Sequence, residues 1–171
     1  MIARHHRRGE VASSALYSPC EAYRYALTRE WQPGGGRLLY ILLNPSTATE
    51  ERNDPTVERC ERRARALGYG GFRVCNLFAW RATDPRDLKR AALPIGPAND
   101  AALLEGAAWA DRVICGWGTH GAHLDRGAAV EALMRSAGAS LWHLGLTRAG
   151  APRHPLYIGY ARQPEPWALL A

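Results

Sequence analysis

Residues 38–43, Leu-Leu-Tyr-Ile-Leu-Leu, are apolar without interruption. A run this short that is apolar on both faces is the signature of a strand buried in a helix-covered sheet. Upstream, residues 23–31 (YRYALTREW) alternate with a period near two and end in a QPGGG turn. The pattern predicts an antiparallel hairpin leading into the central strand. Downstream the period switches repeatedly. Asp54-Pro55 supplies an N-cap and a proline at the first helical position, opening a helix that ends at Gly68. A second strand is expected over Phe72–Trp80 and, after a proline-containing loop, a helix over 99–110 capped by Asn99 or Asp100. A third strand (Arg112–Gly118), a third helix (126–138) and a fourth strand (Ser140–Leu146) follow. This alternation predicts an α/β three-layer sandwich with a four-stranded parallel central sheet and an N-terminal β-hairpin. Residues 1–12 are polar and basic and read as a mobile tail, leaving residues 13–171 as a single domain.

Ligands of open α/β sheets bind outside the carboxyl ends of the strands. Four polar interruptions fall there: Asn44-Pro45-Ser46; Asn76, followed by Phe78 and Trp80; Trp117-Gly118-Thr119-His120; and Arg153-His154-Pro155. The carbonyl oxygen of Asn44 can hold a water, and His154 can donate to a developing anion. The plainer alternatives are an Asx-turn at Asn44 and a solvated loop histidine at 154. Asn76 lies inside an apolar strand, where an unpaired amide costs about 1–3 kcal/mol. It requires partners, either backbone groups or the edge of a ligand such as a nucleobase. Phe78, Trp80 and Trp117 have the shape to stack on a base, although core packing is the commoner role of strand aromatics. Asp54 has the chemistry of a general base, yet its place before Pro55 favours capping.

Composition narrows the possibilities. Hydrophobic residues at 47% and charged residues at 22% suit a globular domain with a substantial core. No apolar run is long enough to span a bilayer, and MIARHHRRGEV lacks the apolar core of a signal peptide. A cytoplasmic protein with no membrane partner is expected. The net charge of +6 comes from arginine, Lys89 being the single lysine. It favours a polyanionic or phosphate-bearing partner, although a high-GC genome would also enrich arginine. Cys20, Cys60, Cys75 and Cys115 form no C-x-x-C pair and read as buried free thiols. His120 and His123 are the one close histidine pair beyond His5-His6, a weak metal signal, so no metal is expected. There is no phosphate-binding glycine loop and no nucleophile elbow around Ser46.

Taken together, the strand-end motifs resemble those of the uracil-DNA glycosylase superfamily. LLNPS (42–46) is similar to a strand ending in an Asn-Pro step whose Asn positions the attacking water. VICGWGTHGAHLDRG (113–127) resembles the third strand and Trp-Gly turn of that superfamily. PRHPLY (152–157) resembles a His-Pro motif whose His contacts the departing base and whose following residues enter the duplex. Two departures stand out. Ser46 occupies a position that is usually Gly, and Leu156-Tyr157 replaces a His-Pro-Ser continuation, so the wedge is either residue. From about Ser18 to Tyr157 the chain also resembles an uncharacterised bacterial group, domain-of-unknown-function family 1643, through YRYALTREW, LLNPSTA, NDPTVERC, NLFAWRATDP, GWG and RHPLYI. Its resemblance to anti-phage DNA glycosylases that remove glucosylated hydroxymethylcytosine makes modified phage DNA a candidate partner.

The resemblance implies a monofunctional DNA glycosylase needing no cofactor. In that reading Asn44 and His154 are catalytic. Pro45, Ser46, Asn76, Phe78 and Trp80 bind the base, while Trp117, Thr119, His120, Arg153, Leu156 and Tyr157 meet the DNA. Lys89 lies away from these positions, which disfavours a Schiff-base lyase step. Two alternatives remain open: a hydrolase of nucleosides or modified nucleotides, and a non-catalytic reader of modified bases or nucleic acid.

Overall fold

A computed structural model describes residues 1–169 of the chain. Eight strands form one mixed sheet: β1 (Ile2–Arg8), β2 (Val11–Tyr17), β3 (Arg24–Glu30), β4 (Arg37–Leu42), β5 (Gly71–Asn76), β6 (Arg112–Cys115), β7 (Leu141–His143) and β8 (Glu165–Pro166). Their spatial order is β1-β2-β3-β5-β4-β6-β7-β8. Four of the seven pairings are antiparallel; β5, β4, β6 and β7 pair in parallel. The expected sheet of four strands is therefore replaced by a larger one, whose parallel strands lie between antiparallel flanks.

The sheet separates two cores, and the separation follows directly from strand periodicity. Leu38, Tyr40 and Leu42 of β4 pack with Val57, Cys60 and Ala64 of helix α1 (Pro55–Ala66). Leu39, Ile41 and Leu43 face the other way. They join Leu103 of α3 (Asn99–Trp109) and Val130 and Met134 of α4 (Arg126–Ser136). A continuous apolar run thus serves two faces at once. Helix α1 starts as its sequence predicts: Asp54 accepts from Val57 N, Pro55 follows, and Gly68 lies just past the end with φ +84°. The same Asp-Pro signature at Asp84-Pro85 opens a short helix, α2 (Pro85–Arg90), inside the segment expected to be loop.

Three expectations require correction. Residues 1–12 are no mobile tail: β1 pairs with β2 throughout, from Ile2 with Tyr17 to Arg8 with Val11. Alternating polar residues on an exposed edge strand look like tail in sequence, because an edge strand needs little apolar surface. Nor do residues 23–31 form a hairpin with 38–43. Strand β3 lies between β2 and β5, while β4 has parallel neighbours on both sides. The intervening turn crosses the start of β5, with Trp31 and Gln32 donating to Gly70 O and Gly70 N donating to Gly36 O. A Cβ on Gly70 would run into the Gln32 carbonyl oxygen, so that crossing requires glycine. Finally, three of the four cysteines are buried but Cys20 is exposed. Burial pushes the Cys75 thiol up to about 12 and those of Cys60 and Cys115 higher still.

Candidate functional site

The strand ends converge on a small cavity of about 40 Å³ on the α1 side of the sheet. Asn44, Pro45 and Ser46 come from the end of β4, Asn76 from the end of β5, and His154 from the segment that follows β7. Leu42, Val57 and Val74 supply apolar wall, and Arg24, Asp54 and Thr56 complete the lining. The backbone explains the convergence. Ladder bonding continues past the regular strands through Leu77 N to Leu42 O and Phe78 N to Leu43 O (2.9 and 3.0 Å), which aligns the two asparagine-bearing ends. A Cβ on Gly116 would come within about 3.2 Å of Pro155 Cδ, Arg153 O and Leu42 Cδ2. Glycine at 116 thus lets the segment carrying His154 lie against β4 and β6.

Each of the three central side chains has a defined orientation. Asn44 Nδ2 donates to Ala82 O (2.7 Å) and Pro45 O (3.0 Å). Both acceptors are carbonyls, so the group facing them must be the NH2, and Oδ1 is turned away from them. No hydrogen bond among the described residues uses that oxygen. The bond to Pro45 is local but is not the expected Asx-turn, in which the side-chain oxygen would accept from a backbone N–H beyond Pro45; the bond to Ala82 is long-range. Asn76 is 2% exposed, and its Oδ1 is buried without a partner. His154 Nδ1 accepts from Leu156 N (3.2 Å), which places the proton of the neutral ring on Nε2. Burial lowers its pKa below the usual histidine value, partly opposed by the charge of Asp54.

Sequence reasoning missed the residues that brace this arrangement. Asn99, expected to cap α3, is fully buried. Its amide donates to Asn76 O and Leu77 O (both 2.9 Å), while Ala98 occupies the cap position without a side-chain bond. Arg126 Nε donates to the same Leu77 carbonyl (2.9 Å) and its Nη2 pairs with Asp100 (2.6 Å). Together they fix the turn that carries Asn76. Asp54 both caps α1 and accepts from Ala48 N (3.2 Å) while lining the cavity. Asn99 opens the segment expected to be helical, where an amide reads as a cap, so the sequence carried no separate signal for its buried role. Nothing local distinguished Arg126 or Arg24.

The aromatic expectations are corrected. Phe78 is completely buried in the core beside His123, with ring centroids 5.5 Å apart. Trp80 is half-buried and packs edge-on to Tyr23. Neither lines the cavity, whose apolar wall is aliphatic. Trp117, expected at a DNA surface, is 4% exposed and packs against Trp167, closely embraced by Gly121 and Gly127. Burying an indole gains more than exposing it, and the nearby glycines make room for it. By contrast Thr119, His120 and Arg153 are exposed, Leu156 is half-buried, and Tyr157 protrudes at 85% exposure.

The arginines also behave differently from a simple phosphate-gripping surface. Arg24, Arg29, Arg63 and Arg126 are buried. Arg59 and Arg63 bind the chain just after His154: Arg59 donates to Pro155 O and Ile158 O, Arg63 to Ile158 O, Gly159 O and Arg162 O. Replacing Arg63 with Met would leave the Arg162 carbonyl without its donor and remove one of two donors from Ile158 O, which keeps Arg59, and from Gly159 O, which keeps Arg162 N. Denaturant unfolding is expected to show a loss of about 1–3 kcal/mol, since each hydrogen bond lost to these carbonyls contributes about 0.5–1.5 kcal/mol net. An unchanged midpoint would mean that this clamp contributes nothing.

No helix among the described residues is long and apolar enough to cross a membrane. No curated protein and no solved structure matches the chain. A family described as "Protein of unknown function (DUF1643)" matches residues 24–156, a span containing every residue that lines the cavity. The chain belongs to the DUF1643 family.

Proposed function

We propose that this protein is a monofunctional DNA glycosylase that hydrolyses the N-glycosidic bond of a modified or damaged base. The observation that carries the reading is the cavity itself. One carbonyl oxygen (Asn44) and one buried amide oxygen without a partner (Asn76 Oδ1) share it with a histidine whose bonded Nδ1 leaves Nε2–H as donor. A water held by Asn44 Oδ1 attacks C1′. The C1′–N bond breaks with its electron pair passing to the base, and His154 Nε2–H meets the negative charge that develops there. The water oxygen bonds to C1′ and loses a proton to solvent, while the departing base gains a proton from solvent. One water is consumed, and abasic DNA and free base are the products. Asn76 reads the base edge, and the Asp54 carboxylate on the cavity wall favours positive charge on the sugar. The resemblance of LLNPS and PRHPLY to uracil-DNA glycosylase motifs supports these assignments.

A nucleobase must leave the stack to be reached, at a cost of a few kcal/mol. The cavity as it stands has room for a water but is about tenfold smaller than ordinary small-molecule sites. Base entry therefore requires it to widen. The contact between Ser46 Oγ and Thr83 Oγ1 (2.9 Å) joins the two loops that would separate. Exposed Arg153 and Tyr157 beside His154 would then meet the backbone and the vacated stack.

The test is abasic-site formation. Purified protein is incubated with DNA carrying uracil, hydroxymethyluracil, hydroxymethylcytosine or its glucosylated form, followed by alkali and mass spectrometry of the released base. Release of one free base, with strand cleavage only after alkali and with rates falling steeply as salt rises, is the expected result. Activity confined to free nucleosides and insensitive to salt would replace the proposal with a nucleoside hydrolase. Binding of modified DNA without release would replace it with a reader.

A further inference from the structure

Arg24 has no role in the chemistry described so far, yet it lines the same cavity. It is 1% exposed. A guanidinium carries five N–H donors, but here Nη1 donates to Ala48 O (2.9 Å) and Nε is buried with no acceptor. Among the described residues no carboxylate comes within ion-pair distance of it, although the charge of Asp54 is felt there. Burial lowers its pKa to about 10, so it is still a cation at neutral pH. A buried positive charge with so few partners is costly unless something electron-rich completes it. Arg29, also buried, shows the contrast: its guanidinium donates to Asn53 Oδ1, Thr49 O and Glu50 O.

Building on the glycosylase reading, we propose that Arg24 determines specificity by meeting the electron-rich edge of the departing base. The cavity would then take bases that leave as anions and exclude bases that carry positive charge before they leave. The geometry supports it: a guanidinium with a free Nε–H and no carboxylate partner lines one small space with the His154 donor and Asn76. An anion formed on C1′–N cleavage is stabilised there by a fixed charge in a water-poor environment, where charge interactions are strongest. A cationic base such as 7-methylguanine would be repelled by that charge.

The full-length protein provides the test in two arms. In the first, the ¹⁵N-labelled Arg24 Nε–H resonance, assigned by its absence in Arg24→Lys, is followed as sodium nitrate replaces sodium chloride at constant ionic strength. Nitrate is the small planar anion used as probe, and a saturable shift is expected. In the second arm, Arg24→Met and Arg24→Lys are assayed on the base that the wild type releases best, with DNA containing 7-methylguanine alongside. Arg24→Met is expected to lose about a hundredfold in rate. Arg24→Lys, which restores the charge, should recover most of it, and the wild type should leave 7-methylguanine in place. Thermal melting of both variants separates misfolding from lost charge. Absence of a saturable nitrate shift, or release of 7-methylguanine faster by the wild type than by Arg24→Met, overturns the proposal even if other bases are excised. If the wild type releases no base at all, the glycosylase reading falls and, with it, the role in base selection. A nitrate shift in that case leaves Arg24 as a buried anion site alone.

Discussion

Asn44→Ala is expected to reduce single-turnover base release by about 10²–10⁴-fold, the range for loss of a group that positions and activates the attacking water. The size of the effect follows from orientation. The Asn44 NH2 is committed to Ala82 O and Pro45 O, which holds Oδ1 at one angle on the cavity wall. Alanine removes the water's acceptor and leaves Ala82 O without its side-chain donor, while Pro45 O keeps the Ala82 N–H, so a stability loss of about 1 kcal/mol should accompany the rate loss. DNA affinity should change little. Asn44→Asp should not restore activity fully, because a carboxylate would set oxygen against the two carbonyl oxygens and swing away. Alkali cleavage of abasic strands gives the rate, and denaturant unfolding gives the stability. A rate within about threefold of wild type for Asn44→Ala would remove Asn44 from the chemistry and leave the reader hypothesis in its place.

His154→Ala is expected to lose about 10²–10³-fold, as when one donor to a developing anion is deleted. The pH dependence is the more specific prediction. In the folded protein burial depresses the His154 pKa, so the neutral ring is the native form. Protonation would place a hydrogen on Nδ1, directly against the Leu156 N–H that it now accepts. Activity should hold above the ordinary histidine pKa of about 6.5 and fall as pH drops through the lower folded value. Stability follows the same sign. A depressed folded pKa contributes stability that is present above the unfolded value and lost as pH falls through the folded one. His143, whose Nδ1 accepts from Gly145 N and whose pKa is also lowered mainly by burial, contributes in the same window. The His154→Ala variant should therefore show a shallower, not absent, loss of stability between neutral and mildly acid pH. An acid limb on activity unchanged in shape in a partly active His154→Gln variant would assign the titration to another group.

Much of the candidate site was legible in the sequence because its members are punctuation marks. Asn44 ends an apolar run, Asn76 interrupts one, and His154 sits between Arg and Pro after the last parallel strand. Each breaks a pattern that burial would otherwise continue, and strand ends on one edge of a sheet are brought together by its architecture. The aromatic residues were less legible. Phe78 and Trp117 occur in the same segments, but a bulky ring satisfies a core as readily as a ligand site, and only the neighbours decide between them. Asn99 was misassigned for a related reason: an amide near a helix start suits a cap, whereas here it bonds the Asn76 and Leu77 carbonyls across the core.

The sequence by itself determined the local features: the Asp54-Pro55 start of α1, its end near Gly68, the two-faced β4, and the alternation of strands with helices. These depend on capping, proline geometry and side-chain periodicity, all set by near neighbours along the chain. Only the tertiary structure decided that β3 pairs with β5 instead of β4 and that β1 is a strand. The same holds for the burial of Arg24, Arg63 and Arg126. Those outcomes depend on which distant backbone groups need partners. An arginine in an alternating segment has the same local sequence whether its guanidinium meets solvent or a carbonyl 24 residues away, as Arg24 does at Ala48.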